Sequence, residues 1–150
     1  MKQNSENRIH MKFPAITENE RMARMMAAAV LTGMNPTMEE LDDVKTAVSE
    51  AVTNSIIHAY EGRKDKMECQ VEVTYIKNEK EIEVQVLDHG RGIADIKQAM
   101  EPLFTTKPKE ERSGMGFSFM EAFMDEVTVT SSAGEGTKVV MRKIIGKQED

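Results

Sequence analysis

Apolar and polar positions follow two rhythms along this chain, and each rhythm predicts its own elements. A short strand is expected over His10 to Pro14. After it, "TENE" has the spacing of a capping box, with Thr17 as cap and Glu20 three residues on. The segment that follows, "NERMARMMAAAVLTGM", carries apolar residues at helical spacing and is expected to end near Gly33. "NPTMEE" breaks the chain and offers a second cap through Thr37 and Glu40, opening a long helix over about Met38 to Tyr60.

The second half switches to period two. "ECQVEVTYI" and "EKEIEVQVLDHG" each alternate and predict a hairpin, with Ile82, Val84 and Val86 on one face. "VTVTSS" and "TKVVMRKI" predict another pair, joined by "AGEG". Between the pairs lies a long irregular stretch with a short helix or turn near Ile93 to Ala99, and then a short helix, "FSFMEAFMDE". The order β-α-α-β-β-loop-α-β-β predicts an α/β (α+β) two-layer sandwich: a mixed, mostly antiparallel sheet with helices on one face. Residues 1 to 8 are polar and expected to fray.

Composition narrows the class. The 150 residues suit a single domain with its own core, and 39% apolar against 31% charged residues describes a globular chain. A net charge of -6 argues against nucleic acid as the main partner, because a phosphate backbone calls for a basic face. No apolar run approaches membrane-spanning length, and the start lacks the apolar stretch of a signal peptide. Cys69 is the single cysteine, read as a small buried strand residue, so no disulfide framework is expected. Together these point to the cytoplasm.

The long helix holds the first candidate chemistry. At about 100° per residue, with Glu50 at the origin, Asn54 falls near 40° and His58 near 80°. The apolar stripe of Leu41, Val44, Val48, Val52, Ile56 and Ala59 lies elsewhere on the wheel. The polar edge is either a solvated helix side or a pocket wall. Asparagine is a poor helix former, and Ile57 sets an aliphatic group beside that edge, a mixture that suits a pocket.

Two glycine motifs follow. "VLDHGRGI" ends a strand with Asp88, Gly90 and Gly92; "RSGMGFSF" opens a helix with Gly114 and Gly116. Glycine lets backbone approach a ligand closely, and a helix start offers free N–H groups to an anion. Each motif alone is equally a tight turn or a cap. Neither is a dinucleotide fingerprint or a P-loop. Their order carries the weight: E-x-x-x-N on a helix, D-x-G-x-G at a strand end, a lid-like loop over about residues 95 to 113, G-x-G-F, then Gly-Thr at a strand start.

That set resembles the GHKL ATP-binding (Bergerat) fold shared by gyrase and histidine kinases. "SEAVTNSIIHAY", "LDHGRGI", "PLFTTKP" and "ERSGMGFSFME" resemble, more narrowly, the small serine kinases that act as anti-sigma factors. The resemblance runs from about His10 to Lys143. It implies that ATP or ADP is bound with Mg2+, the metal held by the Asn54 amide oxygen. It implies Glu50 as general base for a hydroxyl acceptor, Asp88 as acceptor for the adenine amine, Gly90 and Gly92 passing the base, Ile93 packing on it, and Thr137 backing the contact. His58 touches a phosphate or is a packed structural histidine. Thr105, Thr106 and Lys107 belong to the lid, where Lys107 pairs with phosphate or is solvated. Ser113, Gly114, Met115, Gly116 and Phe117 wrap the phosphates.

The implied partners are a sporulation sigma factor of the F type, which is held inactive, an antagonist protein whose serine is phosphorylated, and a second copy in a homodimer. Arg24 and Arg112 are candidate partner contacts. Met22, Met25 and Met26, among 13 methionines, either adapt to partners or fill core gaps. A second reading is an ATP-regulated binding module that sequesters sigma without phosphoryl transfer.

Overall fold

The four period-two segments and the N-terminal strand join in one five-stranded sheet. The computed structural model describes residues 6–100 and 116–146. The strands are β1 (Asn7–Pro14), β2 (Gln70–Lys77), β3 (Glu81–Asp88), β4 (Glu126–Ser132) and β5 (Gly136–Ile144). Their spatial order is β1-β2-β3-β5-β4, and every pairing among the described residues is antiparallel, so the sheet is not mixed. Asn7 and Arg8, within the stretch expected to fray, are instead strand residues that pair with Lys77 and Ile76 on β2, and residues 1–5 lie outside the described residues.

Alternation decides which face is dry. Val71, Val73 and Tyr75 of β2, Ile82, Val84 and Val86 of β3, and Val139 and Met141 of β5 all point to one side and are buried. Full burial of a side chain this size is worth about 1.5–3 kcal/mol. The opposite face carries charge: Glu72 lies between His10 and His89, and Arg142 between Glu83 and Glu126. Exposed pairs of this kind contribute about 1 kcal/mol or less, so they set polarity more than stability.

The helices are α1 (Glu18–Leu31), α2 (Met38–Asn54), α3 (Ile96–Ala99) and α4 (Gly116–Phe123). Helix α2 contacts both α1 and α4, and presents Val44, Ala47, Val48, Ala51 and Val52 to the core. The Tyr75 hydroxyl donates to the Ala23 carbonyl at 2.7 Å and fastens β2 to α1.

Two local expectations change. Thr37 and Glu40 close a full capping box, with bonds of 3.0 and 2.9 Å. Thr17 does not: its backbone is already helical (φ -62, ψ -31), its side chain caps nothing, and Glu20 pairs with Arg24 at 3.2 Å instead. A cap residue needs extended backbone for its oxygen to reach the N3 amide, and Thr17 lacks it. The helix expected to run unbroken to Tyr60 leaves α geometry after Asn54, and Ser55–Ala59 form a π turn. Cys69 is buried as expected, but it precedes β2 by one residue. Burial pushes its thiol up.

Candidate functional site

The open end of the sandwich, between the π turn, the end of β3, the start of α4 and the start of β5, encloses a cavity of about 420 Å³. Pockets that hold small ligands and cofactors span about 300–1,000 Å³, so a purine nucleoside fits this volume. Asn54, His58, Asp88, Gly92, Ile93, Gly116, Phe117 and Thr137 all line it. Eight residues singled out by sequence, from four separate segments, thus meet on one cavity. Glu50 does not line it; it is half-buried on α2, one turn before Asn54.

Asp88 sits at the base of the cavity and is 2% exposed. It is the last residue of β3, opposite Thr137 in the ladder to β5. Its Oδ1 accepts the Gly90 amide at 3.0 Å and the Thr137 amide at 3.2 Å, and its Oδ2 accepts the Ser55 hydroxyl at 2.9 Å. Burial pushes the Asp88 carboxyl above its ordinary range, while these three bonds pull the other way.

The turn after Asp88 is clamped from both sides. Arg91 donates its amide to the Ala59 carbonyl at 2.9 Å, and the Arg91 carbonyl accepts the Gly134 amide at 2.6 Å. The Arg91 guanidinium pairs with Glu61 at 2.9 Å. A Cβ on Gly90 would fall 2.2 Å from the Ala59 carbonyl oxygen. Gly92 has φ +78, and a Cβ there would lie 2.1 Å from the Ser132 carbonyl oxygen. The first glycine is therefore required by close packing of the turn on the π turn. The second is required by backbone conformation as well.

Tyr60, just past the π turn, ties the same region together. Its hydroxyl donates to the Gln70 carbonyl at 2.6 Å and accepts the His89 amide at 2.8 Å. The Tyr60→Phe variant leaves both backbone groups without that partner. We expect a loss of about 1–3 kcal/mol in unfolding free energy, read as a lower urea midpoint with an unchanged slope. An unchanged midpoint would show that the hydroxyl holds nothing.

Ser131 extends the support. Its hydroxyl accepts the Ile93 amide at 2.7 Å and lies 2.8 Å from the Thr137 hydroxyl. Thr137 is thus both a buried strand residue and part of the cavity wall. Among sequence-predicted residues, Thr105, Thr106, Lys107, Arg112, Ser113, Gly114 and Met115 lie outside the described residues. Of the expected lid, Asp95, Gln98 and Ala99 line the cavity, with Asp95 capping α3 by accepting the Gln98 amide.

Sequence reasoning missed Ser55, Tyr60, Arg91 and Ser131. One signal existed: Ser55 falls within the apolar stripe of the long helix, where a hydroxyl needs a buried partner.

On α1, Met22 and Met25 are 56% and 60% exposed, whereas Met26 packs against the core. Gap-filling therefore describes Met26 and not the other two. Arg24 lies between them in sequence and is half-buried against Glu20.

No group of three or more His, Cys, Asp or Glu residues among those described could cage a metal ion. Asn54, at the end of α2, offers the site a neutral amide oxygen. That suits a magnesium ion that arrives with a triphosphate and keeps most of its water, and it does not suit a resident metal.

The fold and cavity define a class: a two-layer sandwich with a nucleoside-sized cavity bounded by the end of the long helix, the turn after β3 and the starts of α4 and β5. The profile of the family described as "Histidine kinase-like ATPase domain" matches residues 13–143. An anti-sigma F factor from Clostridium beijerinckii is 50% identical over 139 residues, 93% of this chain and 95% of that protein. One from Geobacillus kaustophilus is 48% identical over 143 residues, 95% of this chain and 96% of that protein. A solved structure of the RsbU and RsbW domains of a Mycobacterium tuberculosis protein has a TM-score of 0.68 at 16% identity. It covers 95% of this chain and 33% of that one, so this chain spans a third of it and the likeness is one of fold. The chain belongs to the histidine kinase-like ATPase domain family and, within it, to the anti-sigma F factors.

Proposed function

We propose that this chain is a cytoplasmic anti-sigma factor and ATP-dependent protein serine kinase. It holds a sigma factor of the F type inactive and phosphorylates a serine of an antagonist protein. The observation that carries the nucleotide part is Asp88: a buried carboxylate lining a nucleoside-sized cavity beside Asn54. The names of the relatives support the sigma part. No described helix is long and apolar enough to cross a membrane.

In this reading Asp88 accepts a hydrogen bond from the adenine amine. Guanine presents an oxygen there, which a carboxylate repels. Ile93 and Phe117 flank the base, and Gly90 and Gly92 let the turn lie against it. The Asn54 amide oxygen would hold Mg2+, and the bound ion would supply positive charge to the phosphates. Glu50 would take the serine hydroxyl proton as the serine oxygen bonds to the γ-phosphorus of ATP and the bond to the β–γ bridging oxygen breaks, releasing ADP. His58 contacts a phosphate. The phosphate cradle of residues 113–117, Lys107, and the sigma and antagonist contacts at Arg24 and Arg112 complete the proposal, together with a homodimer.

One observation favours a second reading. Glu50 lies outside the cavity lining, as it would in a module that binds ATP only to regulate sigma capture. Transfer of label from γ-labelled ATP to the antagonist separates the two readings.

Asp88→Asn tests the base contact. We expect ATP affinity to fall about 10- to 100-fold, the worth of one hydrogen bond to a charged group, and GTP affinity to rise toward it. Nucleotide titration by calorimetry measures both; unchanged ATP affinity would remove the pose. The variant should fold, since an asparagine oxygen still accepts the Gly90 and Thr137 amides. A raised folded-state carboxyl adds stability below the unfolded pKa and loses it as pH rises through the folded value. Wild type should therefore gain on Asp88→Asn in acid and lose ground toward neutrality.

A further inference from the structure

Asp88 is nearly saturated before any ligand arrives. A carboxylate has two oxygens and about four lone-pair sites. Oδ1 already accepts two backbone amides, from Gly90 and Thr137, and Oδ2 accepts Ser55. One site is left, on Oδ2, and Asp88 lines the cavity. The two bonds on Oδ1 come from backbone amides and use no donor side chain. The bond on Oδ2 comes from a single side chain.

We infer that Ser55 is a specificity-determining positioning residue: its hydroxyl fixes the orientation of Asp88 and leaves one acceptor, on Oδ2, facing the 6-position of a purine. The inference rests on the proposed adenine contact and adds a residue to it.

The setting supports this. Ser55 is 5% exposed and is the first residue of the π turn. π turns inside helices recur at functional sites, where the extra residue re-aims side chains. Ala51 and Val52, which precede it, are fully buried core residues, so the stripe turns polar only at Ser55. With its proton committed to Asp88, the Ser55 hydroxyl cannot donate elsewhere. The pair therefore offers the cavity acceptors and no donor. A purine carrying an amine at position 6 satisfies that arrangement. A 6-oxo purine sets oxygen against oxygen, and a purine with hydrogen at position 6 leaves the acceptor empty.

The test is a cycle of two proteins and two nucleotides against wild type. The proteins are Ser55→Ala and Asp88→Asn. The nucleotides are ATP and purine riboside triphosphate, which lacks only the 6-amino group. Alanine is the better helix former, so the Ser55→Ala chain keeps its helix, and a thermal melt confirms the fold. For Ser55→Ala we expect ATP affinity to fall about 3- to 30-fold and purine riboside triphosphate affinity to change less than about twofold. Equal losses for the two nucleotides, or no loss for either, would overturn the role of Ser55. The Asp88→Asn arm separates the two failures. If Asp88→Asn weakens ATP more than purine riboside triphosphate and Ser55→Ala does not, the adenine contact stands and the Ser55 inference falls. If Asp88→Asn weakens both nucleotides alike, the adenine contact itself falls and takes the inference with it.

Discussion

Replacing Glu50 by alanine should lower phosphoryl transfer to the antagonist serine by about 10²–10⁴-fold, the range a positioned general base contributes. Nucleotide affinity should hardly move, because Glu50 lies off the cavity lining, a turn before Asn54 on α2. The isosteric Glu50→Gln variant should show the same loss, since it keeps the shape and removes the basicity. Helix α2 should tolerate both changes: alanine and glutamine are good helix formers, and Glu50 is only half-buried. The measurement is single-turnover label transfer from γ-labelled ATP, with nucleotide titration alongside. Wild-type transfer in both variants would remove Glu50 from the chemistry. Absence of transfer in wild type itself, with sigma capture intact, would select the regulated binding module.

The second large effect is expected at Asn54. This side chain closes the α-helical part of α2 and lines the cavity. In the proposed mechanism its amide oxygen is the one protein ligand among the described residues for the nucleotide's magnesium. Asn54→Ala should weaken Mg-ATP binding by at least about 100-fold, the upper end of the losses seen when even a supporting partner of a metal ligand is removed. The informative readout is a difference. Wild type should bind ATP more tightly with Mg2+ than with a chelator present, and the variant should show no such gain. Normal Mg-ATP affinity in Asn54→Ala would refute the metal assignment. Equal loss with and without Mg2+ would place Asn54 against the nucleotide itself.

Much of this protein is legible without coordinates, and for identifiable reasons. Strict alternation in "QVEVTY" and "EIEVQV" determines a half-buried strand, because a one-residue slip would turn Val71, Val73 and Tyr75 to solvent. Thr37 and Glu40 specify the start of α2 because both capping bonds close within four residues. The glycines of "DHGRG" mark the turn, since only backbone without Cβ passes Ala59 and Ser132 so closely.

Other features belong to the tertiary structure alone. Thr17 has the residue type of a cap, but the entry of β1 into α1 leaves its backbone helical and its side chain idle. The sequence of the long helix gives no sign that α geometry stops at Asn54. The π turn's carbonyl at Ala59 accepts Arg91, a residue more than thirty positions away, and such a bond cannot be read locally. The burial of Asp88 has the same origin. It is an ordinary strand-end aspartate until β5 brings Thr137 beside it and the π turn brings the Ser55 hydroxyl against it. Local periodicity determines which residues form elements. The acceptor facing the cavity exists only because two distant segments and the local turn spend the other lone pairs of one carboxylate.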